Sequence, residues 1–142
     1  MNIQLVNCRD LEASAQLTLD NMQPYYQMYG VDWGVQQISS AIAELMNYDI
    51  LYDGKVIGAL RLSFADNECQ LRDIQIAETH KGRGAGGRVI AMVQDLAAQN
   101  QVHRIVLKVF QCSPAAQLYP RHGFTKTGED ERFFYMSATV SK

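Results

Sequence analysis

One short segment near the middle of the chain constrains its fold more than any other. From Leu71 to Gly87 the sequence reads LRDIQIAETHKGRGAGG, in which alternating apolar residues run into a loop with four glycines. The alternation predicts a strand, and apolar residues spaced three to four apart beyond the loop predict an amphipathic helix. This apolar stripe consists of Val89, Ile90, Val93, Leu96 and Ala97. Because glycine is about 1 kcal/mol less favourable than alanine at helical positions, so many glycines here need a physical reason.

The charges around this loop indicate that it binds an anion. Lys81, Arg83 and Arg88 lie near the start of the predicted helix. The first backbone N–H groups of a helix have no intrahelical partner, and the macrodipole places partial positive charge there. Cations are unfavourable at that end unless an anion such as phosphate or pyrophosphate binds among them. The residues predicted to line this phosphate site are Lys81, Gly82, Arg83, Gly84, Ala85, Gly86, Gly87 and Arg88.

Two common nucleotide motifs fit this loop poorly. A Walker A loop needs Lys and then Ser or Thr after its last glycine, whereas Gly87 is followed by Arg88 and Val89. The dinucleotide pattern G-x-G-x-x-G is present, but it is normally followed about 20 residues later by an acidic ribose ligand. The next predicted strand, 104–110, and Gln111 after it contain no carboxylate.

A third motif, the acyl-CoA loop Gln/Arg-x-x-Gly-x-Gly/Ala, matches Lys81, Gly84 and Gly86, with lysine in the first place. With it, the chain resembles the GNAT superfamily of N-acetyltransferases. Ile74-Gln75-Ile76 is similar to the V-x-V element that precedes this loop in the family. Further on, 115–124 is similar to the family segment A-x-x-L-Y-x-x-x-G-F. The resemblance covers Leu71 to Phe124.

The order of predicted elements agrees with that resemblance. The periodicities give a strand, two helices, three strands, a helix, a strand, a helix and two strands. Asp10 and Asp32 are predicted helix caps, Pro24 and Gly30 punctuate the first helix, and Ser113 is a predicted cap before Pro114. The resemblance implies a mixed α/β fold, with a mostly antiparallel sheet of about seven strands and about four helices. It also implies a splayed parallel strand pair that holds the cofactor.

Hairpin turns are predicted at three places. Asp53-Gly54 is a tight turn, and 65–67 is a second. The last two strands are predicted to be joined around Gly128-Glu129-Asp130.

The resemblance also implies roles for particular residues. Backbone groups of Ile74, Gln75 and Ile76 would hold the pantetheine arm of acetyl-CoA, and Cys112 stands where the family often has a pantetheine-binding asparagine. Tyr119 would protonate the departing thiolate, for which a phenol with a pKa of about 10 is suited.

The general base is left open. The family's frequent glutamate is replaced by Gln70, an amide, which is no useful base near neutral pH. Glu68 and Asp73 are carboxylates nearby in sequence, but a carboxylate in such a position is more often a solvated surface charge. A relayed water is the other alternative. Aromatic residues near the junction of the first two helices, where related enzymes build the acceptor pocket, are expected to line it in part. They are Tyr25, Tyr26, Tyr29 and Trp33.

Length and composition set the remaining expectations. With 142 residues, 47% of them hydrophobic, the chain is expected to form one soluble domain over residues 1–142. Its formal charge of -2 argues against nucleic acid as a partner, and no apolar run is long enough for a membrane span. Cys8, Cys69 and Cys112 lack metal-ligand spacing and suit reduced thiols in the cytoplasm. No metal is expected, and the protein is expected to be a monomer or homodimer.

Together with these expectations, the resemblance implies an acetyl-CoA-dependent N-acetyltransferase that transfers acetyl directly to a primary amine of a small molecule or peptide. Two alternatives stay open. One is a regulatory acyl-CoA-binding module without catalysis, and the other is a dinucleotide-binding oxidoreductase.

Overall fold

The computed structural model describes residues 2–140 and contains the elements in the predicted order. They are β1 (Ile3–Asn7), α1 (Leu11–Met28), α2 (Val35–Ile42), β2 (Met46–Tyr52), β3 (Lys55–Ala65), β4 (Glu68–Ile76), α3 (Ala85–Gln99), β5 (Arg104–Phe110), α4 (Ala115–Leu118), β6 (Thr125–Glu129) and β7 (Phe133–Thr139). Short 3-10 turns at Glu78–His80 and Tyr119–His122 follow β4 and α4.

The strands form one sheet of seven in the order β1-β2-β3-β4-β5-β7-β6. The pairs β1/β2, β2/β3, β5/β7 and β6/β7 are antiparallel. β4 and β5 are parallel, and their ladder joins 68–70 to 104–106, at the start of both strands. The predicted mixed, mostly antiparallel sheet is therefore confirmed.

Residue contacts divide the chain into two compact units. The first contains the residues up to 62 together with 73–86, and the second contains 63–72 together with the residues from 87 onward. β3, β4 and α3 contribute residues to both. A single domain remains a prediction.

Each unit buries the apolar stripe of a helix. In the first unit, Ala15 of α1 packs with Ile38 and Ile42 of α2, because residues three or four apart share one helix face. In the second unit, four residues of the predicted α3 stripe are fully buried. They are Val89, Ile90, Val93 and Ala97.

The predicted turns and caps are partly confirmed. Asp53 and Gly54 both have positive φ angles, 49° and 86°, as a two-residue hairpin turn requires. The second predicted turn also has the left-handed conformation, at Asp66 and Asn67. At the start of α1, the Asp10 carboxylate accepts a hydrogen bond from the Ala13 N–H at 3.1 Å.

One prediction about the first helices is wrong. Asp32 does not cap α2, which begins at Val35. The Gly34 N–H donates instead to the Gln37 side-chain oxygen at 2.9 Å. α1 continues through Pro24 to Met28. Tyr26 in that last stretch packs against the core of α1 and α2, so tertiary packing outweighs the missing proline N–H.

Two later boundaries also differ. Ser113 lies one residue further from α4 than predicted, although its hydroxyl still accepts from the Ala115 N–H at 3.2 Å. The closing turn begins at Asp130 rather than around Gly128. The Asp130 carboxylate accepts from the N–H groups of Arg132 and Phe133, at 2.8 and 2.7 Å, and this pattern fixes the turn.

Candidate active site

The glycine-rich loop lies directly before a long helix. Gly82 and Gly84 have φ angles of 75° and 84°, in the left-handed region that favours glycine, and α3 begins at the next residue, Ala85. The first turn of α3 contains no acidic residue. The N-terminal N–H groups of α3 and the bent loop therefore have the local geometry of an anion site.

The cations of the loop have different surroundings. The Lys81 ammonium lies 3.1 Å from the Glu78 carboxylate, and both side chains are exposed. Arg83 and Arg88 are also exposed. Because an exposed ion pair contributes little, Lys81 can exchange Glu78 for a phosphate at small cost.

Gly87 has a reason to be glycine that the sequence did not indicate. A Cβ atom at Gly87 would lie 3.0 Å from Nε2 of His122 and 3.1 Å from its Cε1, so any side chain there would press against the imidazole. The His122 carbonyl also accepts a hydrogen bond from the Gln94 side chain of α3 at 3.0 Å. These two contacts attach the Tyr119–His122 turn to α3.

The C-terminal part of β4 carries the V-x-V-like element. Ile74 and Ile76 are half-buried, whereas Gln75 lies on the opposite face of the strand and is buried. A Cβ atom at Gly58 of β3 would lie only 2.1 Å from the Gln75 carbonyl oxygen. Glycine at position 58 is therefore required for this close approach of two strands.

A fully buried arginine in the first unit was not predicted from the sequence. Arg61 of β3 is 0% exposed and donates hydrogen bonds to five oxygen atoms. Its partners are the Asn47 side chain at 3.0 Å, the Thr18 hydroxyl at 2.8 Å, the Ser14 carbonyl at 3.1 Å and hydroxyl at 2.6 Å, and the Asp73 carboxylate at 2.6 Å. The only sequence signal was an arginine inside the apolar run of β3, VIGALRLSF.

Both carboxylates considered as a general base are paired with a guanidinium group. Asp73 pairs with Arg61 and keeps 22% of its side chain exposed, so its interpretation as a solvated surface charge is wrong. Burial raises the pKa of the Asp73 carboxyl, while Arg61 and a hydrogen bond from Gln75 act in the opposite direction. Glu68 pairs with Arg104. The Gln70 side-chain oxygen accepts from the Ser63 hydroxyl at 2.8 Å.

Tyr119 begins the turn that follows α4, and it is buried, with 7% of its surface exposed. Its ring meets that of Phe124 edge to face, with the centroids 5.5 Å apart. Gly123 has a φ angle of 90°, which lets the chain reverse so that the Phe124 N–H donates to the Tyr119 carbonyl at 3.3 Å. The spacing from Tyr119 to Gly123 and Phe124 in the A-x-x-L-Y-x-x-x-G-F segment therefore corresponds to one turn that this hydrogen bond closes. Cys112, before α4, is exposed.

The structure brings together two of the predicted acceptor residues. The rings of Tyr26 and Trp33 are 6.4 Å apart and tilted by 60°. Burial raises the pKa of Tyr26, the Asp73 charge raises it further, and Arg61 lowers it. Trp33 is 45% exposed and borders an open groove of about 450 Å³ along α2. Tyr25 is half-buried on α1.

Neither a membrane span nor a metal cluster is found within residues 2–140. In this range, no α-helix has both the length and the apolar character that crossing a membrane requires. Nor do these residues include three or more His, Cys, Asp or Glu side chains grouped as a metal site.

Comparison with known proteins identifies the family to which the chain is similar. The profile described as the acetyltransferase (GNAT) family matches residues 9–124. An uncharacterized N-acetyltransferase, YobR of Bacillus subtilis (strain 168), is 32% identical over 98 residues, which are 68% of this chain and 40% of that protein. The aligned part thus spans less than half of the relative.

Solved structures share the fold at low sequence identity. A GNAT family acetyltransferase from Elizabethkingia anophelis with acetyl-CoA bound has a TM-score of 0.74 at 17% identity, covering 98% of this chain and 99% of the other. The ribosomal-protein-S18-alanine N-acetyltransferase from Escherichia coli also has a TM-score of 0.74 at 17% identity, covering 99% and 96% of the two chains.

Proposed function

Because the chain belongs to the acetyltransferase (GNAT) family, we propose that it transfers the acetyl group of acetyl-CoA directly to a primary amine. The observation that carries this proposal is the loop with left-handed Gly82 and Gly84 directly before the N-terminus of α3. This loop offers backbone donors and nearby cations to a pyrophosphate, as the donor substrate requires.

Different parts of the chain have different proposed roles in the reaction. Backbone groups of the segment Ile74–Ile76 hold the pantetheine arm, and Cys112 is a further proposed contact of the donor. The loop from Lys81 to Arg88 binds the pyrophosphate. As the amine attacks the thioester carbon, the carbon–sulfur bond breaks and the sulfur takes the electron pair. Tyr119 then donates its proton to the departing thiolate.

The acceptor is a primary amine of a small molecule or peptide, in line with the name of the ribosomal-protein-alanine enzyme that shares the fold. Tyr26 and Trp33, whose rings lie 6.4 Å apart, are the best supported acceptor contacts. Tyr25 is the third, on the same helix as Tyr26. A water molecule is proposed as the first proton acceptor from the amine, because Asp73 and Glu68 are both paired with guanidinium groups.

Thermal unfolding with candidate ligands tests the donor. Acetyl-CoA at 100 times its dissociation constant should stabilise the protein by about 2.7 kcal/mol, and NAD and ATP should not. Gly84→Glu should remove this effect, because it places a carboxylate at the pyrophosphate site and a side chain at a φ angle of 84°. Gly30→Glu is the matched control, since Gly30 also has a positive φ, 67°, and a Cβ atom there would meet no other atom within 4 Å. Protection by NAD or ATP instead of acetyl-CoA would contradict the proposal.

The two exposed arginines of the loop give a salt-dependent test. Arg83→Ala and Arg88→Ala should each weaken CoA binding more at low salt than at high salt. The reason is that salt screens exposed charges over about 10 Å at 0.1 M ionic strength. Calorimetric titration at two salt concentrations measures the difference, with Arg121→Ala, also exposed, as the control. Equal affinities for both variants and the parent would assign the two side chains to the solvated surface.

A second candidate function is a regulatory acyl-CoA-binding module. It is favoured by the pairing of both nearby carboxylates with guanidinium groups and by the amide at Gln70. A thiol-release assay over polyamines, amino acids, aminoglycosides and peptide N-termini separates the two functions. Binding of acetyl-CoA with no release of CoA thiol in the presence of any amine would favour the module.

Location in the cytoplasm and a monomeric or homodimeric state also remain predictions.

A further inference from the structure

A continuous chain of polar contacts runs through the first unit from a buried charge to a backbone carbonyl. Arg61 pairs with one oxygen of Asp73 at 2.6 Å, and the other oxygen accepts from the Gln75 amide at 2.6 Å. The Gln75 side-chain oxygen accepts from the Asn21 amide at 3.1 Å. The same Asn21 amide donates to the carbonyl of Ile76 at 2.8 Å.

The direction of each hydrogen bond follows from the chemistry of the groups. An ionised carboxylate only accepts, so the Gln75 side chain must turn its NH₂ group towards Asp73. Its oxygen therefore faces Asn21, which must present its own NH₂ group there. The second hydrogen of that NH₂ group is then directed to Ile76. Arg61, which carries its charge at any physiological pH, thus fixes the orientation of an amide three partners away.

One end of this chain of contacts is buried, at Arg61 and Gln75, and the other end, at Asn21 and Ile76, is half-buried. Arg61 is 0% exposed and Gln75 is 7% exposed, so a reversed amide would leave polar atoms unpaired in a region with little access to water. Leaving a buried polar group unpaired costs more than a solvent-exposed group would lose. The buried Gln75 amide therefore favours the orientation of Asn21 in which its NH₂ group donates both to Gln75 and to the Ile76 carbonyl.

We propose that Asn21 is a positioning residue for the donor substrate. It holds the backbone of β4 at Ile76 in the geometry that receives pantetheine, and this inference rests on the proposed function. Asn21 is on α1, the helix that also carries Tyr25 and Tyr26. A single amide thus ties the helix with the proposed acceptor contacts to the strand with the proposed donor contacts.

Calorimetric titration with CoA tests the inference without using turnover. Asn21→Ala removes the hydrogen-bond donor. Asn21→Asp keeps the size of the side chain but places a carboxylate oxygen opposite two acceptors, the Gln75 oxygen and the Ile76 carbonyl. Each variant should raise the dissociation constant for CoA about tenfold, equivalent to about 1.4 kcal/mol. In a working assay, the KM for acetyl-CoA should rise with it, whereas the KM for the amine should change little.

Two controls separate positioning from general stability. Gln16→Ala removes an exposed hydrogen bond to Asp20 on the same helix and should change neither stability nor CoA affinity by much. Asn47→Ala removes a partner of Arg61 remote from Ile76 along the contact chain. It should lower the melting temperature while the CoA dissociation constant stays near that of the parent.

The outcomes distinguish this inference from the proposed function. If the parent protein does not bind CoA, the proposed function fails and the inference with it. If the parent binds CoA and the two Asn21 variants, folded by circular dichroism, bind it equally well, only the positioning role is overturned. A loss of affinity in Asn47→Ala as large as in Asn21→Ala would also overturn it, because general destabilisation would then explain both.

Discussion

Asp73→Ala should lower the free energy of unfolding by about 3–5 kcal/mol, the usual loss when one partner of a buried ion pair is removed. Arg61 stays protonated in proteins, so the variant would contain a fully buried cation without its carboxylate. The remaining partners of Arg61 are neutral oxygens, which satisfy its hydrogen bonds but not its charge. Urea unfolding measures the change through the transition midpoint at constant slope.

Two variants show whether burial is the cause. Lys126–Glu129 is an ion pair in which both side chains are about half exposed, and Glu129→Ala should change stability by less than about 1 kcal/mol. The double variant Arg61→Met with Asp73→Leu removes the buried charge altogether and should be more stable than Asp73→Ala alone. If Asp73→Ala lowers the free energy of unfolding no more than Glu129→Ala does, burial does not make the Arg61–Asp73 pair more stabilising than an exposed pair.

The order of elements could be predicted because local pattern and tertiary structure agree in most of this chain. β5 has the predicted bounds, Arg104–Phe110, and the apolar stripe of α3 is buried as its spacing indicates. The helix cap predicted at Asp32 is wrong, because a different residue forms the hydrogen bond at the start of α2. The Gln37 side chain accepts the hydrogen bond from the Gly34 N–H at the start of α2. The packing of Tyr26 against the core stabilises the part of α1 that follows Pro24. Local preferences of about 1 kcal/mol do not decide such boundaries alone.

The candidate site could be predicted only where it is contiguous in sequence. The loop 81–88 and the turn around Tyr119 are local motifs, and each has the left-handed glycines that its pattern requires. Arg61, Asp73 and Asn21 come from three separate elements, so no spacing rule connects them. Gly87 was predicted as part of the loop, but its contact with His122, which lies outside that motif, could not be predicted from the spacing.

Tyr119→Phe should reduce turnover by about 10²-fold or more while the protein folds and binds acetyl-CoA nearly as the parent does. The ring of Tyr119 packs edge to face on Phe124, and phenylalanine retains this contact and the burial of the ring. Only the hydroxyl is lost. A general acid that protonates the leaving group typically contributes 10²- to 10⁴-fold, so the effect should fall on kcat and equally on kcat/KM.

The measurement needs an accepted amine and saturating acetyl-CoA, so that the chemical step limits the rate. Tyr135→Phe is the matched control, because it removes a tyrosine hydroxyl that donates to Asp130 at 2.5 Å on the exposed part of β7. Its turnover should equal that of the parent. Undiminished turnover in Tyr119→Phe would exclude Tyr119 as the proton donor and leave water or another group as the acid. A large loss of acetyl-CoA affinity in Tyr119→Phe would instead show that the hydroxyl binds the donor, because a pure proton donor leaves that affinity unchanged.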